Sequence, residues 1–212
     1  MLLAEWARRG NGRRVADWTI RVVARLCGLA FDVRGADRLS DQGSYVFVPN
    51  HTSPLDIPAL LVACPGMRFV AAADLFRNPV LAFLMHALDT VPIDRENPRV
   101  ARRQIQELSA SKDRMCLAIF AEGRIAAPEE KVPFKSGAFV VAIATGASVV
   151  PVAIRGAGQL LPPGRALAVR PGTVSVEFLE PIPTEQLTVR DRKSLRDQAR
   201  RAVAHGLESA PE

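Results

Sequence analysis

The chain is poor in aromatics, histidine and cysteine and has no long apolar run, and each shortage closes off a class of function. Aromatic residues make up 6% of the 212 residues, with one tyrosine. With no recognised binding signature and no interleaving of aromatic and basic residues, nucleic acid is not expected as a partner. Cys27, Cys64 and Cys116 stand singly in apolar surroundings, an odd count without paired spacing. They read as reduced core thiols of a cytosolic protein. Of the three histidines, neither His86 nor His205 has a partner at metal-ligand spacing, so no metal site is expected. No segment reaches the roughly 18 unbroken apolar residues of a membrane span. The first apolar residues are interrupted by Arg8, Arg9, Arg13 and Arg14, which does not fit a secretory signal.

What the chain does carry is positive charge. Its formal charge is +6, which suits an anionic membrane surface or a phosphorylated substrate. Near the N-terminus Val15, Trp18, Val22, Leu26 and Leu29 recur at three- and four-residue steps, with Arg14, Arg21 and Arg25 elsewhere around the helix. A basic amphipathic helix with a tryptophan suits a membrane interface, and it equally suits packing on a domain core. Residues 1–30 are assigned to this helix and 31–212 to one α/β domain. Pro79 to Leu88 is a second apolar stretch, too short to span a bilayer, read as a core helix or an interfacial dip.

Along the domain, Tyr45 to Pro49 and Met115 to Phe120 read as buried strands, the second as a central parallel one. Strands are also expected at Arg68 to Ala72, Thr90 to Ile93, Val149 to Ile154 and Thr173 to Leu179. Asn97-Pro98 is expected to open a basic helix running to about Leu108. Ser136 to Thr145 reads as a buried helix closed by Gly146, and Thr188 to Asp191 as a capping box opening a final charged helix.

The stretch His51-Thr52-Ser53-Pro54-Leu55-Asp56 is the most informative. Ser53 reads as an N-cap and Pro54 as the first helical residue, which puts Asp56 in the first turn, where the helix dipole favours a carboxylate. His51 lies just outside, within reach of Asp56 across the cap. A carboxylate on one imidazole nitrogen leaves the other free to accept a proton from an alcohol. The plainer reading is a helix-charge aspartate and a loop histidine.

Three more segments bear on this choice. Val91-Pro92-Ile93-Asp94-Arg95 ends a short strand in a guanidinium, fit for a bidentate phosphate contact or a surface ion pair. Phe120-Ala121-Glu122-Gly123-Arg124 places a carboxylate, a glycine and an arginine on a strand-end turn, where glycine lets a ligand approach the backbone. Lys135 and Ser136 stand at a helix N-terminus, a natural anion site, although a plain N-cap explains Ser136 equally well.

In this order the segments resemble the glycerophospholipid acyltransferase family, best known for 1-acylglycerol-3-phosphate acyltransferases. The family's blocks correspond to His51 and Asp56; to Pro92, Asp94 and Arg95; to Phe120, Ala121, Glu122 and Gly123; and to Val150 and Pro151. The resemblance runs from about Ser44 to Ile154. Two departures stand out: Ala121 replaces a proline, and Glu-Gly-Arg-Ile replaces the frequent Glu-Gly-Thr-Arg, bringing Arg124 one residue nearer.

The resemblance implies a single α/β domain with a mostly parallel mixed sheet flanked by helices, and an acyltransferase needing no cofactor. The donor would be acyl-CoA or acyl carrier protein, and the acceptor a lysophospholipid, foremost 1-acyl-sn-glycerol-3-phosphate. His51 would be the base and Asp56 its orienting carboxylate, while Arg95, Glu122, Gly123, Arg124 and Lys135 would bind substrate. The expected location is the cytoplasmic face of a membrane, peripheral or monotopic. Competing readings are acylation of a lyso-ornithine lipid or lysophosphatidylethanolamine, thioester hydrolysis, and a non-catalytic membrane-binding module.

Overall fold

The computed structural model describes residues 11–94, 100, 103–104, 107, 115–127, 130, 132–164 and 169–209, with the side chains of 11–17, 80–81 and 84 outside the description. The strands are β1 (Leu29–Arg34), β2 (Tyr45–Pro49), β3 (Arg68–Ala72), β4 (Val91–Ile93), β5 (Cys116–Ala118), β6 (Ser148–Arg155) and β7 (Gly172–Phe178). They form one sheet in the order β1-β7-β6-β2-β5-β3-β4. The five strands from β6 to β4 run parallel, whereas β7 is antiparallel to β6 and parallel to β1. The sheet is therefore mixed and mostly parallel, and the domain is α/β.

A central parallel strand must be apolar on both faces, because helices cover both. In β2 every residue is buried. Tyr45 and Phe47 join Leu60, Val152 and Phe178 in a core on one face. Val46 and Val48 join Phe139, Leu195 and Val203 in a core on the other. The first face is covered by α1 (Asn11–Leu26) and α2 (Asp56–Ala63), the second by α4 (Gly137–Thr145) and α6 (Arg192–Glu208). Phe47 and Phe139 are 0% exposed; truncating either to alanine costs about 3–5 kcal/mol by the usual cavity penalty.

Local signals set the helix ends. Gly146 takes a left-handed φ of 68°, and its N–H closes α4 on the carbonyls of Ala142 and Ile143. The capping box forms at Thr188 and Asp191, where it opens the 3-10 turn Val189–Asp191 that leads into α6. The remaining helices are α3 (Pro79–Ala87) and the short α5 (Ala157–Leu160).

Of the two orientations open to the stripe of α1, outward toward an interface or inward onto the core, the helix takes the outward one. Ala24 is buried and Ile20 packs against the core, while the Arg21 guanidinium donates to the Val62 carbonyl at 3.3 Å. Trp18 and Leu26, members of the stripe read from sequence, point outward at 66% and 82% exposure. Apolar residues occupy two sides of this helix, and the side with the smaller residues meets the domain. Leu29 and Ala30 belong to β1 rather than to the helix. Arg95 lies outside the described residues, as does most of the helix expected to open at Asn97-Pro98. Among the described residues no helix is long and apolar enough to cross a membrane.

Candidate active site

The strand β2 stops at Pro49, and the next residue anchors its end. The Asn50 side-chain amide donates to the Ile154 carbonyl at 2.9 Å and accepts the Ile154 N–H at 2.8 Å, tying the ends of β2 and β6. His51 follows at the carboxyl edge of the sheet, where open α/β folds build their sites. The helix after it begins at Asp56, two residues later than the sequence suggested. Leu55 takes the cap position without a side-chain cap bond, and Ser53 holds the turn that leads into it. Its hydroxyl accepts the Leu55 N–H at 3.1 Å and donates to the Leu161 carbonyl at 2.8 Å.

Asp56 braces the same turn from the first position of the helix. Its Oδ2 accepts the main-chain N–H groups of Thr52 at 2.8 Å and Ser53 at 2.9 Å, and faces His51 Nδ1 at 2.8 Å. A carboxylate oxygen only accepts, so Nδ1 carries the imidazole proton and Nε2 is left as the acceptor. Asp56 is 0% exposed and the His51 side chain 12%. The Phe120 ring stacks on the imidazole, with centroids 3.7 Å apart and planes at 19°, a face that favours a developing imidazolium.

His51, Gly123 and Arg124 share the wall of one cavity of about 490 Å³, whose other lining includes Phe69, Leu75, Met85 and Leu88. A largely apolar cavity with a few converging polar groups is the usual form of a small-molecule site. Gly123 adopts φ 76°, so a side chain there would strain the turn. Arg124 pairs with Glu130: Nη1 donates to Oε2 at 3.0 Å, and Nη2 meets Oε1. This contact raises the Arg124 pKa and lowers that of Glu130.

Glu122 is placed apart from its neighbours. It borders a different cavity, of about 380 Å³, with Asn50, Phe134, Arg200 and Leu207. It is 7% exposed and its Oε2 has no hydrogen-bond partner. Burial, more than any other influence, pushes its pKa up to about 7; the His51 main-chain N–H opposes the rise and the Asp56 charge adds to it. Lys135 is exposed and absent from the walls of both cavities; its main-chain N–H donates to Ala121 at 2.8 Å. Arg95 falls outside the described residues.

The sequence of the described site is matched by the Acyltransferase family profile over residues 30–155. The chain belongs to the acyltransferase family. This family member is 30% identical over 178 residues to the chloroplastic 1-acyl-sn-glycerol-3-phosphate acyltransferase BAT2 of Brassica napus, covering 83% of the chain and 50% of that protein. It is also 30% identical over 207 residues to human 1-acyl-sn-glycerol-3-phosphate acyltransferase beta, covering 95% of the chain and 73% of the relative. The chain spans about half the length of the Brassica napus, Arabidopsis thaliana and Chlamydomonas reinhardtii relatives it matches. In fold it is similar to the 1-acyl-sn-glycerophosphate acyltransferase PlsC of Thermotoga maritima, with a TM-score of 0.75, 23% identity, and coverage of 92% and 78% of the two chains.

Three contacts in this family member were not foreseen. The stacking of Phe120 on His51 had a signal, since Phe120 opens the third block. The donation of the Ala126 N–H to the His51 carbonyl at 2.8 Å and the pairing of Glu130 with Arg124 had none, because both depend on how the 121–130 segment folds back.

Proposed function

We propose that the chain transfers a fatty acyl group from a thioester, acyl-CoA or acyl carrier protein, to the free hydroxyl of 1-acyl-sn-glycerol-3-phosphate, giving phosphatidic acid. The observation that carries this reading is the Asp56-held imidazole facing an apolar cavity that also receives Arg124. His51 Nε2 takes the proton of the acceptor hydroxyl as its oxygen attacks the thioester carbonyl. The carbon–sulfur bond then breaks, and the imidazolium returns the proton to the departing thiolate. Asp56 holds the tautomer and stabilises the imidazolium, as the orienting carboxylate does in a hydrolase triad. The steps balance without a cofactor. Arg124 binds the acceptor phosphate by exchanging Glu130 for it, Gly123 admits the headgroup to the backbone, and the apolar wall takes the acyl chain.

The reaction is proposed to occur on the cytoplasmic face of a membrane. Trp18 and Leu26 face outward on α1, and α1 contacts α3, which exposes Phe83. Basic residues near an anionic leaflet add roughly 1 kcal/mol each. Replacing Leu26 by glutamate is expected to weaken binding to phosphatidylserine vesicles about tenfold with folding unchanged; unaltered binding removes this helix from the docking surface.

The decisive assay presents purified protein with acyl-CoA and lysophosphatidate in vesicles, beside His51→Ala. A positioned base contributes about 10²–10⁴-fold, so the variant is expected to lose at least a hundredfold in rate. Retained turnover in His51→Ala removes the base assignment, and thioester loss without acceptor supports a hydrolase. Lysophosphatidylethanolamine is a second acceptor reading, favoured by the Arg124–Glu130 pair, whose two charges complement a phosphate and an ammonium. A lyso-ornithine lipid in the same panel tests whether a phosphate is required.

A further inference from the structure

Phe120 opens the third sequence block, and the reaction as proposed gives it no task. Its ring lies flat against the imidazole of His51, with centroids 3.7 Å apart and planes at 19°. The main chain that carries the ring is held on both sides. The Ile119 N–H donates to the Phe47 carbonyl at 2.9 Å, pinning the end of β5 beside β2, and the Gly123 N–H donates to the Phe120 carbonyl at 3.0 Å. Ile119 and Ala121, its chain neighbours, are buried. The ring itself is half-buried and packs against the core on the His51 side of the sheet.

The contacts already described fix His51 at two places and leave one motion open. The Ala126 N–H holds its carbonyl at 2.8 Å, and Asp56 holds Nδ1 at 2.8 Å. A hydrogen bond fixes a point on the imidazole, not its plane, because its angles are tolerant. The ring is therefore free to rock about the line from Cβ to Nδ1, and Nε2, which lies off that line, swings with it. A flat aromatic face in contact blocks rocking toward it and attracts the ring that stays parallel.

We infer that Phe120 is a positioning residue for the base: its ring face sets the plane of the His51 imidazole, and with it the direction in which Nε2 meets the acceptor hydroxyl. This rests on the reading of His51 as the base. Asp56 and Phe120 thus divide the work, the carboxylate fixing the tautomer and the phenyl fixing the plane. Direction matters because a misplacement of about 1 Å at the reacting atoms costs on the order of a hundredfold in rate.

The test compares Phe120→Leu, which keeps apolar bulk and removes the flat face, with Phe120→Tyr, which keeps the ring and has the cavity beside it for the added hydroxyl. Both are assayed as full chains with oleoyl-CoA and oleoyl-lysophosphatidate in vesicles, with folding checked by melting. The expected result for Phe120→Leu is a fall in kcat of about 10–30-fold, with the acceptor KM within about threefold of the parent. Phe120→Tyr is expected to lose no more than about threefold in kcat. A raised KM with kcat preserved in Phe120→Leu overturns the inference, leaving Phe120 as cavity wall alone. Equal losses of kcat in both variants overturn it in favour of a packing role that any change disturbs.

A second readout is independent of turnover. The Nδ1–H resonance of His51, identified by its loss in His51→Ala, is expected to stay sharp in Phe120→Tyr and to broaden in Phe120→Leu as the ring begins to rock. A line as sharp in Phe120→Leu as in the parent overturns the inference. Should no lysolipid be acylated by the parent, the proposed reaction fails, and the resonance alone decides whether Phe120 holds the ring. If Phe120→Leu does not fold, Phe120→Met takes its place with the same expected losses and the same overturning results.

Discussion

Asp56 and Glu122 are both buried carboxylates beside His51, and the chain treats them in opposite ways. Asp56 is completely enclosed, yet one of its oxygens accepts three N–H groups from the turn that precedes its helix. Each leaves its second oxygen unpartnered, but at Glu122 burial outweighs the one opposing main-chain N–H, of His51, and lifts the pKa to about 7. Enclosure alone therefore does not decide what a carboxylate can do; the donors that the backbone brings to it do. The first gathers its donors on one oxygen beside an imidazole; the second changes charge near neutrality.

The sharpest way to break this contrast is Asp56→Asn. It offers the imidazole an amide in place of an acceptor-only oxygen, so the wrong tautomer is favoured. The rate is expected to fall about 10³–10⁴-fold with the fold intact, read as turnover at saturating acceptor beside circular dichroism. An effect below tenfold would mean that the two carboxylates are not distinct in role.

The next effect is thermodynamic and belongs to Glu122. A carboxyl raised from 4.5 to about 7 in the folded chain binds its proton more tightly folded than unfolded. The stability it contributes is fully present below about pH 4.5 and is lost as the pH rises through about 7. Glu122→Gln removes that loss, so its Tm is expected to exceed the parent's by a few degrees at about pH 8 and to match it at about pH 4. A variant no more stable at the higher pH would show that the second carboxyl is not held at a cost.

The smallest effect is expected from Glu130, the exposed carboxylate that pairs with Arg124. An ion pair in solvent adds little to stability, so Glu130→Gln is expected to leave Tm unchanged within about a degree. By freeing Arg124 it is expected to lower the KM for lysophosphatidate about two- to threefold. A raised KM would mean that the pair itself recognises the headgroup.

Much of this arrangement was legible in the sequence where local chemistry determines it. The meeting of His51 with Asp56 follows from a strand end, a proline and a short turn. Gly146 closes α4 because a left-handed residue is needed there, and alternating Val174, Val176 and Phe178 are all buried in β7. What could not be read depends on tertiary placement. An apolar stripe identifies an amphipathic helix, but α1 carries two apolar sides, and the sheet selects the one with Ala24. Glu122 and Arg124 are two residues apart on a tight turn, so no periodicity tells which faces His51. The late start of α2 also escaped, because the Ser53 and Asp56 side chains hold Pro54 and Leu55 in a turn before the helix begins.

The stack of Phe120 on His51 has a mechanical consequence. The same ring lines the apolar cavity, with Phe69 nearly parallel to it at 6.2 Å. A guest pressing on that ring presses on the imidazole behind it, so the shape of a tail lodged in the cavity is felt at the proton-accepting nitrogen.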